Sequence, residues 1–150
     1  MFLADTNTIS ELRKGAKGNP GVVSLFQESR PLIFLQVQVI GEVRYGIEKL
    51  KRKGDFPQAR RVEDWLQSIL EEYAPRILPF DLRCAQRWGT LMGANEQHPV
   101  DKQIAAIALV YDLTVVTRNT DDFAGTGVRL LNPFLNTAVS ADPPLSRKSN

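Results

Sequence analysis

The stretch from residue 98 to residue 123 constrains the fold most, because it predicts a helix, a turn, a buried strand and a polar loop in that order. Pro99 suits a first helical turn, where its missing N–H needs no partner, and Asp101 then falls within that turn. The apolar run 113–116 predicts a strand, which gives way abruptly to the polar residues 117–122. Such an ending places polar side chains at the carboxyl edge of a sheet, where open α/β folds carry their functional groups.

The rest of the chain alternates short apolar runs with longer amphipathic segments. Further strands are predicted at 1–4, 32–35, 77–78 and 128–131, and helices at 9–14, from 19 onward, at 37–50, at 57–73 and from 81 onward. In the last of these helices, an inner face is predicted for Leu82, Ala85, Trp88, Gly89 and Met92. Strands that alternate with helices predict an α/β fold with a mainly parallel sheet and helices on both faces.

Composition and charge exclude several classes of protein. The 150 residues, 43% of them hydrophobic, support one domain, and a formal charge of +2 is not that of a strongly basic nucleic-acid binder. The single cysteine, Cys84, permits no intrachain disulfide. The single histidine, His98, excludes a histidine-rich metal site and leaves oxygen ligands as the candidates. With no apolar run of the roughly 20 residues that a membrane span needs and no secretory signal, a cytoplasmic protein is expected.

Acidic residues follow predicted strands or open predicted helices, and a parallel sheet would bring them to one edge. They are Asp5, Glu42, Asp101 and either Asp121 or Asp122. Two unit charges about 4 Å apart repel by roughly 4 kcal/mol at an effective dielectric near 20, so convergence requires protonation or a divalent cation. Oxygen ligands favour Mg²⁺ or Mn²⁺, which can activate water and hold a phosphodiester. Taken singly, each acid has an ordinary interpretation as a turn, capping or surface charge.

Glu42 is the acid whose surroundings the helical pattern defines best. It lies on the flank of an apolar stripe formed by Val37, Ile40, Val43, Ile47 and Leu50, so it is predicted to be partly covered. A partly covered carboxylate needs a partner, which could simply be Arg44 or Lys49 on the same helix.

Six motifs carry a resemblance to a known family. In order and spacing, LADTNTISEL, VIGEVRYGIEKL, RILPFD, PVDKQIAAIAL, LTVVTRNTDDF and GVRLLNPF resemble the motifs of a PIN-domain ribonuclease of the VapC type, the toxin of bacterial toxin–antitoxin pairs. The resemblance implies a three-layer α/β/α domain over residues 1–134 that binds Mg²⁺ or Mn²⁺ and cleaves RNA. It also implies a homodimer restrained by a VapB-like antitoxin. Residues 135–150, rich in Ser and Pro, lie outside it and are predicted to form a flexible tail.

The resemblance assigns the acids by motif. Asp5 from LADTN, Glu42 from GEVRYG and Asp101 from PVDKQIAA are the three core acids, and Asp122 is the fourth because it precedes an aromatic residue, as in the family pattern. Asp5 and Asp101 are expected to ligate the metal, Glu42 to ligate it directly or through water, and Asp122 or Asn119 to hold a metal-bound water. Asn119 stands where many relatives have Asp, so it supplies no charge.

Polar and basic neighbours of these acids complete the expected site. Hydrogen-bond donors around the ligands are predicted at Thr6, Asn7, Thr117 and Asn119. Thr6, Asn7 and Thr117 could equally be capping strand-to-helix turns. Because an acidic pocket repels RNA, cations must hold the backbone nearby, and Arg44, Arg118 and Arg13 are the predicted RNA-binding residues. The same groups could instead receive an arginine of the antitoxin.

Two other functions remain open on the pattern alone. An aspartate-based phosphotransfer domain also clusters Asp at strand ends. The haloacid-dehalogenase-like form is disfavoured because Asp5 has no second Asp two residues later, and the receiver-like form because Asn132-Pro133, and no lysine, follows the last strand. A non-catalytic binding module of the same fold is less favoured because all three core acids are present.

Overall fold

Five parallel strands form the centre of the protein, whose computed structural model describes residues 1–135. The strands are β1 (Phe2–Ala4), β2 (Ile33–Gln36), β3 (Ile77–Leu78), β4 (Thr114–Val116) and β5 (Arg129–Leu131), in the order β3-β2-β1-β4-β5. The central strand β1 pairs with β2 and β4, so that Leu3 lies opposite Phe34 and Val115. The predicted parallel sheet is confirmed. The predicted tail lies, apart from Leu135, outside the described residues.

Within residues 1–135, six α-helices connect or follow the strands. They are α1 (Thr6–Glu11), α2 (Pro20–Ser29), α3 (Val37–Arg52), α4 (Phe56–Tyr73), α5 (Leu82–Ala94) and α6 (Pro99–Tyr111). Short 3₁₀ turns lie at Leu12–Lys17, Arg30–Leu32, Ala74–Arg76, Thr120–Phe123 and Pro133–Leu135. The first helix begins earlier than predicted because the Asp5 carboxylate caps it. None of the helices in this part of the chain combines the length and apolarity that crossing a bilayer requires.

Two hydrophobic cores lie on opposite faces of the sheet. One lies beneath α1 to α4 and includes Ala4, Val39 and Leu66, and the other lies beneath α5 and α6 and includes Leu3 and Ile107. Successive strand residues point to opposite faces, which is why Leu3 and Ala4 belong to different cores. The predicted three-layer α/β/α arrangement is therefore confirmed, and the carboxyl edge of the sheet opens between the two helical layers.

The predicted inner face of α5 is only partly right, because Ala85, Trp88 and Met92 are half-buried but Gly89 is exposed. Cys84 is the buried residue of this helix, whereas Leu82 is 76% exposed. The helix packs chiefly against α6, so one neighbour rather than a sheet decides which residues are covered. The Asp81 carboxylate fixes this packing, because it accepts hydrogen bonds from the N–H of Cys84 (3.0 Å) and from the hydroxyl of Tyr111 (2.6 Å).

The contact between Asp81 and α6 should make stability depend on pH. The Tyr111 hydroxyl and the Cys84 N–H lower the pKa of Asp81 from 3.8 to about 2. A carboxylate whose pKa is lower in the folded than in the unfolded protein stabilises the fold at pH values above its unfolded-state pKa. This stabilisation is lost as the pH falls toward the folded-state pKa of about 2. We therefore expect Asp81→Asn to lower the melting temperature by a few degrees at pH 7, with a difference that shrinks between pH 4 and pH 2. Circular-dichroism melts across this range measure the gap, and a gap that stays constant would contradict the assignment.

Candidate active site

Asp5 is held rigidly at the point where β1 ends. One carboxylate oxygen, Oδ1, accepts the N–H of Thr8 at 3.0 Å, and the other, Oδ2, accepts the hydroxyl of Thr117 at 2.6 Å. Thr117 directly follows β4, which pairs with β1, so the parallel register brings the two residues together. Asp5 is only 8% exposed, yet it contributes to the lining of the cleft described below.

Glu42 reaches the same edge from α3, which follows β2. The hydroxyl of Thr6 donates a hydrogen bond to its Oε1. The prediction that Glu42 is partly covered is wrong, because the residue is exposed while Val39 and Val43 are the buried residues next to it on the helix. Its partner is therefore a hydroxyl on α1, and neither Arg44 nor Lys49 is needed to hold it.

Asp101 and Asp122 come from the second helical layer. Asp101 lies in the first turn of α6, as predicted, and Asp122 in the 3₁₀ turn after β4. Burial raises the pKa of the Asp101 carboxyl above its usual value, and the charge of Asp122 raises it further, as do those of Asp5 and Glu42. The charge of His98 opposes this shift. The other three predicted acids therefore all act electrostatically on Asp101.

A cleft of about 290 Å³ joins these groups, and we call it the acidic cleft. Its lining residues come from both helical layers and are Asp5, Thr6, Asn7, Glu42, Tyr45, Val100, Asp101, Ile104 and Asn119. Asp122 stands beside Asp101 at its margin. The sheet edge thus assembles the acids that the sequence places far apart in the chain.

The predicted hydrogen-bond donors all lie at this cleft. Thr6 contacts Glu42 and Thr117 contacts Asp5, as described above. Asn7 and Asn119 line the cleft, and the backbone N–H of Asn119 donates to the Thr117 hydroxyl at 3.0 Å. Thr117 therefore links Asp5 to the loop that leads to Asp122.

The three predicted RNA-binding arginines have different surroundings. Arg44 forms two hydrogen bonds with Glu63, at 2.5 and 2.9 Å, which hold the Glu63 pKa at about 2. Arg13 lies over the ring of Trp65 at 5.6 Å and lines a neighbouring groove that also reaches Glu42. Arg118, which is exposed, lies over Phe134 at 4.1 Å. Arg13 thus lies in a groove that Glu42 also lines, Arg118 packs on Phe134, and Arg44 ties α3 to α4.

The residues of the acidic cleft fit a hard divalent cation. The charges of Asp122, Asp5 and Glu42 all raise the pKa of Asp101, so a positive charge among these groups is favoured, and carboxylate oxygens are the ligands that Mg²⁺ and Mn²⁺ prefer. The tightest set of possible ligand atoms among the described residues comes from His98, Asp101 and Asp122, within 4.8 Å of one another. Asp5 and Glu42 line the same cleft outside that set.

His98 is the residue of the site that sequence reasoning missed. One histidine cannot form a histidine-rich site, so the sequence pattern gives His98 no role, yet its ring lies next to both Asp101 and Asp122. The local signal was its position just before Pro99 and three residues before Asp101, which places it at the entry of the helix. The expectation that only oxygen atoms are available as ligands is therefore corrected.

An acidic cleft at the carboxyl edge of a parallel sheet, between two helical layers, defines a class of protein. The PIN domain family matches residues 2–128, and the chain belongs to this family. It is similar to Toxin FitB of Neisseria gonorrhoeae, with 33% identity over 89% of this chain and 99% of that protein. It is also similar to VapC ribonuclease Y4jK of Sinorhizobium fredii, with 28% identity over 89% of this chain and 98% of the relative.

The likeness extends to three dimensions. The crystal structure of FitAcB from Neisseria gonorrhoeae aligns with a TM-score of 0.72 and 33% identity, over 90% of this chain and 99% of that chain. The resemblance to the VapC-type branch of the family, which the motifs indicated, is thereby confirmed.

Proposed function

We propose that the protein is a metal-dependent endoribonuclease that acts as the toxin of a type II toxin–antitoxin pair. The observation that carries this proposal is the convergence of Asp5, Glu42, Asp101 and Asp122 from both helical layers on one cleft. The similarity to a VapC ribonuclease and to Toxin FitB supports RNA as the substrate. Cytoplasmic RNA is the expected target pool.

In this proposal Mg²⁺ or Mn²⁺, when bound, lowers the pKa of water and stabilises charge on the phosphate that is attacked. Asp5, Asp101 and Asp122 would hold the ion, and Glu42 would hold it directly or through water. Thr117 fixes the direction of the Asp5 carboxylate, and Thr6 fixes that of Glu42. Arg13 and Arg118 would contact phosphates of the RNA.

The proposal includes two protein partners. A VapB-like antitoxin would restrain the enzyme by covering the acidic cleft, and a second copy of the chain would complete a homodimer. The VapC-type motifs and the alignment with FitAcB support both.

An RNA-cleavage assay with the purified full chain tests the proposal. We expect cleavage of a structured RNA with Mg²⁺ or Mn²⁺ and none with excess chelator. We expect Glu42→Gln to slow cleavage by about a hundredfold, because it removes a charge that faces the reacting phosphate and its ion. Rates are measured from labelled RNA on denaturing gels.

The matched control is Asp64→Asn, which removes a carboxylate from the exposed side of α4 and should cleave at close to the wild-type rate. Full activity in chelator, or a Glu42→Gln variant as fast as the wild type, would overturn the proposed chemistry. Formation of an aspartyl phosphate in place of RNA products would point to phosphotransfer.

A further inference from the structure

The imidazole of His98 lies between two carboxylates of the acidic cleft. Its Nδ1 is 3.8 Å from Oδ2 of Asp101, and its Nε2 is 3.8 Å from Oδ1 of Asp122. These separations are too long for hydrogen bonds. They are close to the spacing of roughly 3.0–3.4 Å that separates two ligand atoms on one ion with bonds of about 2.1 Å. An ion can take only one of the two ring nitrogens, and one ligand atom from each of the three side chains lies within 4.8 Å of the other two, so small side-chain movements would bring all three onto one ion.

The backbone holds His98 in this place. Its φ of 55° and ψ of 57° lie in the left-handed region, which residues other than glycine rarely adopt. Contacts on both sides fix the adjoining chain: Lys102, which is 5% exposed, donates to the carbonyl of Gln97, and the indole N–H of Trp88 donates to the carbonyl of Pro99 at 3.0 Å. An unfavourable conformation that neighbouring contacts maintain is typical of a functional residue.

From this geometry we propose that His98 is a nitrogen ligand of the metal site and gives the site a preference for transition ions over Mg²⁺. The proposal depends on the metal site of the proposed function. Carboxylates alone suit Mg²⁺, whereas imidazole suits Zn²⁺ and similar ions. One imidazole and two carboxylates form a three-ligand set that leaves positions open for water or substrate, as in catalytic zinc sites.

The competing interpretation is that His98 only balances the charge of Asp101 and Asp122. In that case an incoming ion displaces the imidazole, and no metal–nitrogen bond forms. The two interpretations differ in what happens to the ring nitrogens when the ion binds.

Nuclear magnetic resonance can follow these nitrogens directly. Because the chain has one histidine, both imidazole ¹⁵N signals of the labelled full-length protein belong to His98. We expect Zn²⁺ to shift one of the two signals to the chemical shift of a metal-bound nitrogen. Saturating Mg²⁺ should leave both imidazole nitrogens without a bond to metal. Signals that show no metal-bound nitrogen at a stoichiometric, saturating Zn²⁺ concentration would overturn the proposal.

Calorimetry of variants gives a second measurement. In His98→Gly, the new residue tolerates the left-handed backbone, so the loop is expected to persist while the ligand is lost. We expect the ratio of the Mg²⁺ to the Zn²⁺ dissociation constant to fall by about tenfold or more. Glu96→Gln, which neutralises an exposed charge in the same loop, should leave this ratio within about twofold of the wild type.

A ratio that is unchanged in His98→Gly would overturn ligation by His98. If wild-type protein still cleaves RNA with Mg²⁺ in that case, the proposed function stands and only the role of His98 is lost. If neither Zn²⁺ nor Mg²⁺ binds to the wild type, both the proposed metal chemistry and this inference fail.

Discussion

Asp101→Asn is expected to reduce RNA cleavage by at least about a hundredfold and, in metal-free buffer, to raise the melting temperature. Activity falls because the carboxylate is a proposed metal ligand at the centre of the acidic cleft. Stability rises because burial, Asp122, Asp5 and Glu42 all disfavour the charged form of Asp101. The asparagine side chain is similar in size and carries no charge, so the penalty disappears while the packing remains.

The pH dependence of this stabilisation has a definite sign. The folded-state pKa of Asp101 is raised above its usual value of 3.8. A carboxyl group whose pKa is higher in the folded than in the unfolded protein stabilises the fold fully at pH values below its unfolded-state pKa. This stabilisation is lost as the pH rises through the folded-state pKa. The melting temperature of Asp101→Asn should therefore exceed that of the wild type at neutral pH, and the gap should narrow as the pH falls to about 4.

Calorimetric scans in chelator from pH 4 to pH 8 measure this gap, and the gel assay measures the rate. Asp64→Asn, in an exposed part of α4, is the control for both and should change neither by much. A variant that cleaves at the wild-type rate removes Asp101 from the mechanism. An Asp101→Asn variant that is inactive but less stable than the wild type at neutral pH would contradict the claim that repulsion between the carboxylates destabilises the fold.

Thr117→Val should slow cleavage by about 10- to 100-fold without removing any proposed ligand. The Thr117 side chain is fully buried, and its hydroxyl donates to Asp5 at 2.6 Å while accepting the N–H of Asn119 at 3.0 Å. Valine has nearly the same shape but cannot make either bond. Asp5 would lose its orientation, and unfolding should become easier by about 1–3 kcal/mol because buried polar groups lose their partner.

Two further variants separate orientation from stability. Thr117→Ser restores a hydroxyl and should recover most of the activity. Thr8→Val removes another fully buried hydroxyl, which donates to the carbonyl of Val116 at 3.2 Å, but it keeps the backbone N–H that Asp5 accepts. It should lose similar stability in urea unfolding while cleaving at close to the wild-type rate. Equal activity losses in Thr8→Val and Thr117→Val would show that Thr117 acts only through stability.

The order of the secondary-structure elements and the convergence of the acidic residues could be predicted, because both follow from short sequence patterns. Short apolar runs that end in polar residues indicate buried parallel strands, and the carboxyl ends of such strands share one edge. That rule brings Asp5 and Thr117 into hydrogen-bond contact although 112 residues separate them. The capping roles of Asp5 and Asp81 also follow from local sequence.

Features that depend on neighbours in space could not be predicted in this way. The covered face of α5 is decided by α6, which the helical period of α5 does not encode. Glu42 is exposed because its partner, Thr6, comes from another helix. Arg44 follows a proposed ligand in sequence but pairs with Glu63 on α4, a pairing that only the packing of α3 against α4 establishes.

The position of His98 shows the same limit at a single residue. Its left-handed backbone places the ring beside Asp101, and this conformation depends on contacts from Lys102 and Trp88. A histidine that precedes Pro99 carries no local signal for such a conformation, since residues before proline usually adopt extended backbone. Only the folded loop shows that the imidazole reaches the carboxylates.

The hydrogen bond from Thr117 to Asp5 spans 112 residues of the chain. During synthesis, a ribosome that has released only the first hundred residues has exposed Asp5 and Glu42 but neither Asp101 nor Thr117. The incomplete product cannot assemble the cleft, so under the proposed function a nascent chain could not cleave the RNA around it until nearly the whole domain has emerged.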